Sequence, residues 1–283
     1  MLTTTDQYVQ TNGIRLHYLD SENNRPTLLL MHGLTANAHA FDGLMEAGLG
    51  DSFRVISVDL RGRGQSDKPD NDYSFASQAR DIIGLMDALH IDQCHVGGHS
   101  YGAFMTFYLA KHYPGRVRKM VLMDAAAQMH PDTRELLIPT LSRLGQVFPS
   151  FEAYIEKMKA APYIGDEWDE AMLSYYQADT QTIDGGQVTT NSKPEHILQA
   201  INALGEVPWL EYMREIPHEA ILFNATAPYG GPTAPSLLPK ELALETVALM
   251  PSCQYIEVAG NHQTMLYGQG AKDMVAAIRR FLT

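Results

Sequence analysis

The strongest constraint on the fold is an alternation of short apolar runs with segments of helical periodicity. Residues 75–90 carry apolar side chains at helical spacing, and residues 101–113 form a second helical pattern that ends at Pro114-Gly115. Strands that alternate with helices predict a doubly wound, mostly parallel sheet with helices on both faces, an α/β fold. The runs that we predict as its buried strands are residues 27–31, 55–59, 95–98, 119–124, 220–223 and 255–258.

The alternation is interrupted between residues 126 and 216. Helical patterns follow one another there without a convincing strand. We therefore predict a core domain formed by residues 1–125 and 217–283, with a helical lid inserted at residues 126–216. A chain of 283 residues is long enough to bury one such core and carry the insertion.

Charge and composition limit the classes of partner. A net charge of −12 disfavours binding to nucleic acid or to an anionic membrane. No apolar run is long enough to span a bilayer, and the N-terminus lacks the pattern of a secretion signal. The two cysteines, Cys94 and Cys253, are therefore expected to stay reduced. We expect a soluble, cytoplasmic protein that acts on a small molecule, and the sequence leaves open whether it forms a homo-oligomer.

One pentapeptide carries the strongest chemical signal. Gly98-His99-Ser100-Tyr101-Gly102 matches G-x-S-x-G and lies between a predicted strand and a predicted helix. Such a sharp turn lifts the serine to the carboxyl ends of the strands, where open α/β sheets bind ligands. It also places the Tyr101 N–H at a helix N-terminus, where an oxyanion is stabilised. A chance match in a glycine-containing turn is the alternative, and the strand and helix around the motif favour the nucleophile.

Together with three other blocks of the sequence, this motif resembles the pattern of a known family. The chain resembles the α/β-hydrolase superfamily over nearly its whole length, with the lid as the least diagnostic part. The blocks follow the strands in the order that the family has. They are Met31-His32-Gly33-Leu34, Asp59-Leu60-Arg61-Gly62-Arg63-Gly64-Gln65-Ser66-Asp67, Gly98–Gly102 and Ala259-Gly260-Asn261-His262.

The resemblance implies roles for particular residues. His262, after the last strand, is the expected general base for Ser100. The backbone N–H of Leu34 is the expected second oxyanion donor beside that of Tyr101. His32 is expected to support that loop by hydrogen bonding, and the His99 side chain is expected to point away from the site. The Asp59–Asp67 block is expected to be a structural turn, with substrate contact by Arg61 or Arg63 as the weaker alternative.

The acid of the triad departs from the commoner family pattern. Many members carry an Asp after the strand that follows the lid, but here no carboxylate follows residues 220–223 until Glu241. A subset of the superfamily, including some haloalkane dehalogenases, carries the acid at the end of the strand after the elbow helix. Asp124 occupies that place and is the predicted partner of His262. The alternative is that Asp124 only caps the turn into the lid.

These residues predict a serine hydrolase that cleaves a small ester, lactone or amide without a cofactor or metal. A C–C bond hydrolase and a cofactor-free oxygenase remain open, because the pocket rather than the fold decides the bond. A ligand sensor without catalysis is the third alternative. A haloalkane dehalogenase would need an aspartate in place of Ser100. The lid side chains that we consider for the pocket, although most fit the lid core, are Phe148, Tyr154, Met158, Trp168, Met172, Tyr175 and Tyr176.

Overall fold

The computed structural model describes residues 4–165 and 168–283. Residues 1–3 and 166–167, which fall within the predicted core and lid, lie outside the described residues. The chain begins with a β-hairpin at Asn12-Gly13 and then alternates strands with helices. The elements of this first part are β1 (Thr5–Thr11), β2 (Ile14–Asp20), β3 (Thr27–Met31), α1 (Asp42–Glu46), β4 (Arg54–Val58), α2 (Phe75–Ala88), β5 (Cys94–His99), α3 (Tyr101–His112) and β6 (Val117–Met123).

Apart from residues 166–167, the segment after β6 contains six helices and three short strands. The elements of this segment are α4 (Thr133–Leu136), α5 (Ile138–Leu141), β7 (Val147–Phe148), α6 (Phe151–Lys159), α7 (Glu170–Ala178), β8 (Thr180–Thr182), β9 (Val188–Thr190), α8 (Pro194–Gly205) and α9 (Trp209–Glu215). The chain then returns to the core as β10 (Ala220–Ala225), α10 (Lys240–Leu249), β11 (Cys253–Val258) and α11 (Gly268–Leu282).

The central sheet has eight strands in the order β1-β2-β4-β3-β5-β6-β10-β11. In this sheet β1 pairs antiparallel with β2, and β2 pairs antiparallel with β4. The neighbouring strands from β4 to β11 in this order all pair parallel. The predicted doubly wound, mostly parallel sheet is therefore confirmed. Both faces of the sheet are covered, because Leu28 and Leu30 join one buried cluster while Leu29 and Met31 join the other.

The prediction of an entirely helical lid is wrong in two details. The strands β7, β8 and β9 form a small antiparallel sheet, and their two or three residues are too few to show an alternating pattern in the sequence. The helical pattern of residues 134–148 also does not form one continuous helix, because Pro139 lacks an amide hydrogen and lies in the first turn of a new short helix. Gly145, with φ of 69°, follows that helix and turns the chain toward β7.

Two further features concern the whole described chain. Cys94 and Cys253 are both free thiols. Across residues 4–165 and 168–283, no helix combines the length and the apolar character needed to cross a bilayer.

Candidate active site

The turn between β5 and α3 forces Ser100 into a rarely populated backbone conformation, with φ of 54° and ψ of −116°. Its N–H donates to Met123 O at 2.8 Å, which ties the turn to β6. A Cβ atom on Gly98 would lie 2.1 Å from the carbonyl carbon of Gly102, and one on Gly102 would lie 1.8 Å from Met31 O. Both glycines of the motif are therefore required by close backbone approach, and the strain is typical of a functional site.

Two backbone N–H groups beside Ser100 are free to bind an anion. Over the residues that the structure describes, neither the Leu34 N–H nor the Tyr101 N–H has an acceptor. The Tyr101 side chain turns away from the site, and its hydroxyl accepts a hydrogen bond from Gln78 Nε2 at 2.7 Å. Tyr101 lies at the first turn of α3, so the helix dipole adds to its N–H. The pair can hold an oxyanion on a substrate bonded to Ser100.

Two buried arginines hold the loop that contains Leu34. Arg63 Nε donates to Leu34 O at 3.1 Å, and Arg143 Nη2 from the lid segment donates to the next carbonyl, Thr35 O, at 2.9 Å. Arg61 instead pairs with Asp81, with Nε to Oδ2 at 2.6 Å. Neither Arg61 nor Arg63 lines the cavity at Ser100. This agrees with the prediction that the Asp59–Asp67 block is a structural turn. The sequence did not indicate that Arg143 reaches this loop.

His32 supports the same loop, as the sequence predicted. Its Nε2 accepts from the Leu60 N–H at 3.1 Å, so the proton lies on Nδ1, which donates to Gly33 O at 2.7 Å. Burial lowers the pKa of His32 to about 4, and burial likewise lowers the pKa of His99 well below its ordinary value. Both rings are therefore neutral at physiological pH.

These two neutral histidines predict a loss of stability in acid. In the folded state His32 binds no proton until the pH falls toward its pKa of about 4, whereas in the unfolded chain it binds one below about 6.5. The lowered pKa of His99 acts in the same direction. The stability that these neutral rings contribute is present above pH 6.5 and is lost as the pH falls below it, and for His32 the loss of unfolding free energy between pH 7 and pH 5 is about 2 kcal/mol.

Urea unfolding of the wild type and of His32→Asn at pH 7 and pH 5 measures this effect. We expect the variant to lose about 2 kcal/mol less than the wild type between the two pH values. The same change at the exposed His90 is the control and should leave the pH dependence as it is. An equal loss in the wild type and His32→Asn would contradict the prediction.

Asp124 and His262 lie side by side at the carboxyl end of the sheet. His262 Nδ1 and Asp124 Oδ2 are 2.7 Å apart, and both side chains are buried. The other carboxylate oxygen, Oδ1, accepts from the Ala225 N–H at 2.8 Å and from Asn224 Nδ2 at 3.0 Å. The carboxylate is therefore held from both sides, and its direction toward His262 is fixed.

Asn224 is a supporting residue that the sequence analysis missed. It lies within β10, and besides holding Asp124 its Nδ2 donates to Leu238 O at 3.0 Å. Its Oδ1 accepts from the Tyr255 hydroxyl at 3.0 Å. The available signal was an amide side chain at the end of an otherwise apolar buried strand, since a buried polar group needs partners. In the commoner family pattern the acid follows this strand, β10. Here β10 instead supplies Asn224, which donates a hydrogen bond to Asp124.

The expectation that the His99 side chain points away from the site is wrong. Its Nε2 donates to the backbone O of His262 at 2.7 Å, and the two rings are 4.6 Å apart between centroids. A Cβ atom on Gly33 would lie 3.2 Å from His99 Nδ1, so the ring packs between the oxyanion loop and the His262 loop. The sharp turn begins only after His99. The His99 side chain therefore still follows the alternating side-chain directions of β5.

These residues meet at one cavity. Its volume is about 50 Å³, or about 510 Å³ when the space among the lining atoms and at the open mouth is included. Ser100 and His262 share its wall, although within the described ranges no hydrogen bond joins the two side chains directly. Such bonds are often long without substrate. The wall consists of Gly33, Leu34, Thr35, Ala36 and Ala40, of His99, Ser100, His262, Gln263, Leu266 and Tyr229, and of Leu137, Thr140, Leu141 and Tyr175 from the lid segment.

Among the lid side chains considered from the sequence, Tyr175 lines this cavity. The others pack within the lid or against its neighbours. Phe148, Tyr154, Met158, Met172 and Tyr176 are buried in one apolar cluster, and Trp168 stacks on Tyr176 with ring centroids 5.3 Å apart. Over the described part of the chain, no three His, Cys, Asp or Glu side chains are grouped as metal ligands would be.

Comparison with known proteins agrees with this geometry. The model of a family described as having the alpha/beta hydrolase fold matches residues 26–182, which is more than half of the chain. The chain belongs to the α/β-hydrolase family. Relatives of the chain are named as hydrolases.

The most informative relatives are also hydrolases. The 2-(acetamidomethylene)succinate hydrolase of Mesorhizobium japonicum is 34% identical over 161 residues, which is 57% of this chain and 57% of that protein. The matched part thus spans just over half of that relative. A solved structure of E-2-(acetamidomethylene)succinate hydrolase covers 99% of both chains with a TM-score of 0.85 and 23% identity. The enol-lactonase of Burkholderia xenovorans has a TM-score of 0.74 and 20% identity, covering 98% of this chain and 99% of its own.

Proposed function

We propose that this protein cleaves a small ester, lactone or amide through an acyl-enzyme on Ser100. The observation that carries the proposal is the 2.7 Å contact of His262 Nδ1 with Asp124 Oδ2, made beside a cavity that Ser100 also lines. A buried carboxylate at Nδ1 keeps the proton there, so Nε2 has the free lone pair of a base. Residues 126–216 are proposed to act as the lid of this cavity.

The reaction begins when Ser100 Oγ adds to the carbonyl carbon of the substrate. The hydroxyl proton moves to His262, and the carbonyl oxygen becomes an oxyanion held by the N–H groups of Leu34 and Tyr101. The bond to the leaving group then breaks, and His262 returns the proton to that group. Water, deprotonated by His262, attacks the acyl-enzyme and releases the acid together with free Ser100. The cycle needs no cofactor.

Backbone strain supports an enzyme over a ligand sensor. Ser100 has φ of 54° and ψ of −116°, a backbone conformation that is unfavourable for a residue other than glycine. A binding module would gain nothing from holding a hydroxyl in such a conformation. The Mesorhizobium relative is named for an acetamido compound, which supports an amide among the substrate classes.

A fluorophosphonate tests the proposal because it reacts with serines that a neighbouring base activates. We expect one phosphonyl group per chain, with loss of fluoride, and peptide mass mapping should place it on Ser100. Hydrolysis of p-nitrophenyl esters, lactones or N-acyl amides should disappear in parallel with labelling. Attachment at another residue, or full labelling of Ser100 without loss of activity, would refute the acyl-enzyme.

A further inference from the structure

We propose that the cavity at Ser100 accepts a short, uncharged, apolar acyl group and rejects an acyl group that ends in a carboxylate. The inference rests on the proposed function, because it names the substrate class of the same site. It follows from three observations, which are the chemistry of the wall, the saturation of Arg143 behind it and the size of the cavity.

The wall around Ser100 carries five aliphatic side chains, those of Ala36, Ala40, Leu137, Leu141 and Leu266, and among the described residues it contains no Lys or Arg side chain. The hydroxyl groups of Thr140 and Tyr229 are hydrogen-bonded to each other at 2.7 Å, so one of their two O–H donors is occupied. An ionised carboxylate that leaves water for such a wall gains no Lys or Arg partner there, which disfavours its binding. An alkyl group gains contact with the aliphatic side chains of the same wall.

A cation does lie behind this wall, but all its donors are occupied. Arg143 has five N–H groups. Its Nε donates to Asp179 Oδ2 at 2.9 Å, and Nη2 donates to Thr35 O at 2.9 Å and Asp179 Oδ1 at 3.3 Å. Nη1 donates to Thr140 O at 2.6 Å and Thr35 Oγ1 at 3.3 Å. A substrate carboxylate would have to displace one of these bonds, so Arg143 does not form an anion site.

The charge of Arg143 is also neutralised. Asp179 is buried with it, and the Tyr154 hydroxyl donates to the Asp179 carboxylate. Arg143 therefore fixes the Thr35 carbonyl and the lid segment, and its field at the cavity is cancelled by its partner. The relative named as a hydrolase of a succinate would by likeness predict a dicarboxylate substrate, whereas this wall predicts a neutral one.

The size of the cavity limits the acyl chain. A single water needs about 10–15 Å³ of such space, so a cavity of about 50 Å³ has room for about four groups of that size. A butanoyl group fits this space, and a longer chain would have to leave through the mouth. The acyl group that we infer is therefore short as well as uncharged.

The deciding experiment compares two esters of the same leaving group with the wild-type protein. These are p-nitrophenyl butanoate and mono-p-nitrophenyl succinate, whose acyl groups differ mainly in the terminal carboxylate. The uncatalysed rate of each ester in the same buffer is subtracted from the measured rate, because the succinate ester also breaks down by attack of its own carboxylate. We expect kcat/KM for the butanoate to be higher by about 100-fold or more. A smaller preference, or the reverse, overturns the inference.

Binding to Ser100→Ala separates this inference from the proposed function. Ligand-observed NMR titration should detect the butanoate ester and not the succinate ester on this variant. If the wild type hydrolyses neither ester but this difference in binding is seen, the proposed function fails and the inference stands. If the variant binds the succinate ester as well as the butanoate ester, the inference is wrong whatever the catalysis.

The role of Asp179 is tested by Asp179→Asn, with Tyr154→Phe as the matched control. Removing the neutralising charge should shift the ratio of kcat/KM values toward the succinate ester by about 10-fold, whereas Tyr154→Phe keeps the ion pair and should leave the ratio unchanged. A folded Asp179→Asn with the wild-type ratio would refute neutralisation by Asp179. Should that variant not fold, the wild-type comparison still decides the inference.

Discussion

Ser100→Ala is expected to lower kcat for an ester substrate by a factor of about 10⁴ to 10⁶, with little change in stability. The change removes the atom that forms the acyl-enzyme and nothing else. Ser100 N–H, which donates to Met123 O, remains, and so does the donor pair formed by Leu34 and Tyr101. The residual rate should therefore come from oxyanion stabilisation and binding alone.

Steady-state hydrolysis and thermal unfolding of the purified variant measure this outcome. The matched control is Ser236→Ala, since that hydroxyl only donates to Leu238 O at 3.2 Å and lies outside the cavity wall. We expect the control to keep its activity within about twofold. A Ser100→Ala protein with near wild-type activity and an intact fold would show that another residue is the nucleophile or that water attacks directly.

The parts of this protein that the sequence predicted well depend on local chemistry. Strands and helices of the core follow from apolar periodicity, and the elbow follows from two glycines whose substitution would bring atoms within about 2 Å of the backbone. The position of Asp124 was inferred from the resemblance, because no carboxylate follows residues 220–223 and a subset of the superfamily carries the acid at this strand end. The contact of Asp124 with His262 spans 138 residues of sequence.

What the sequence did not predict depends on contacts between distant segments. Asn224 holds Asp124 across two neighbouring strands, and nothing in its local pattern distinguishes it from an ordinary buried amide. The hydrogen bond from His99 to the His262 carbonyl could be predicted only by knowing where the His262 loop passes. Arg143 lies 108 residues from the Thr35 carbonyl that it holds, and its role depends on how the lid segment folds back. Periodicity carries no information on such pairings.

Asp124→Asn is the second change with a large expected effect, a fall in kcat of about 10⁴ with the fold retained. Asparagine tolerates the φ of 52° that this position requires, so the backbone is not disturbed. Its amide can donate to His262 Nδ1, and that reverses the proton arrangement of the ring. Nε2 would then carry the proton and could no longer take one from Ser100.

The matched control for this change is Asp81→Asn, which makes the same substitution at a buried aspartate. Asp81 pairs with Arg61 at 2.6 Å and does not line the cavity, so its loss should lower the unfolding free energy and leave kcat within about twofold. The contrast separates a catalytic role from a structural one, because both variants lose a buried charge but only one loses the partner of His262. If Asp124→Asn and Asp81→Asn had equal kcat values, Asp124 would be a turn residue that stabilises the end of β6, and the acid would have to be sought elsewhere.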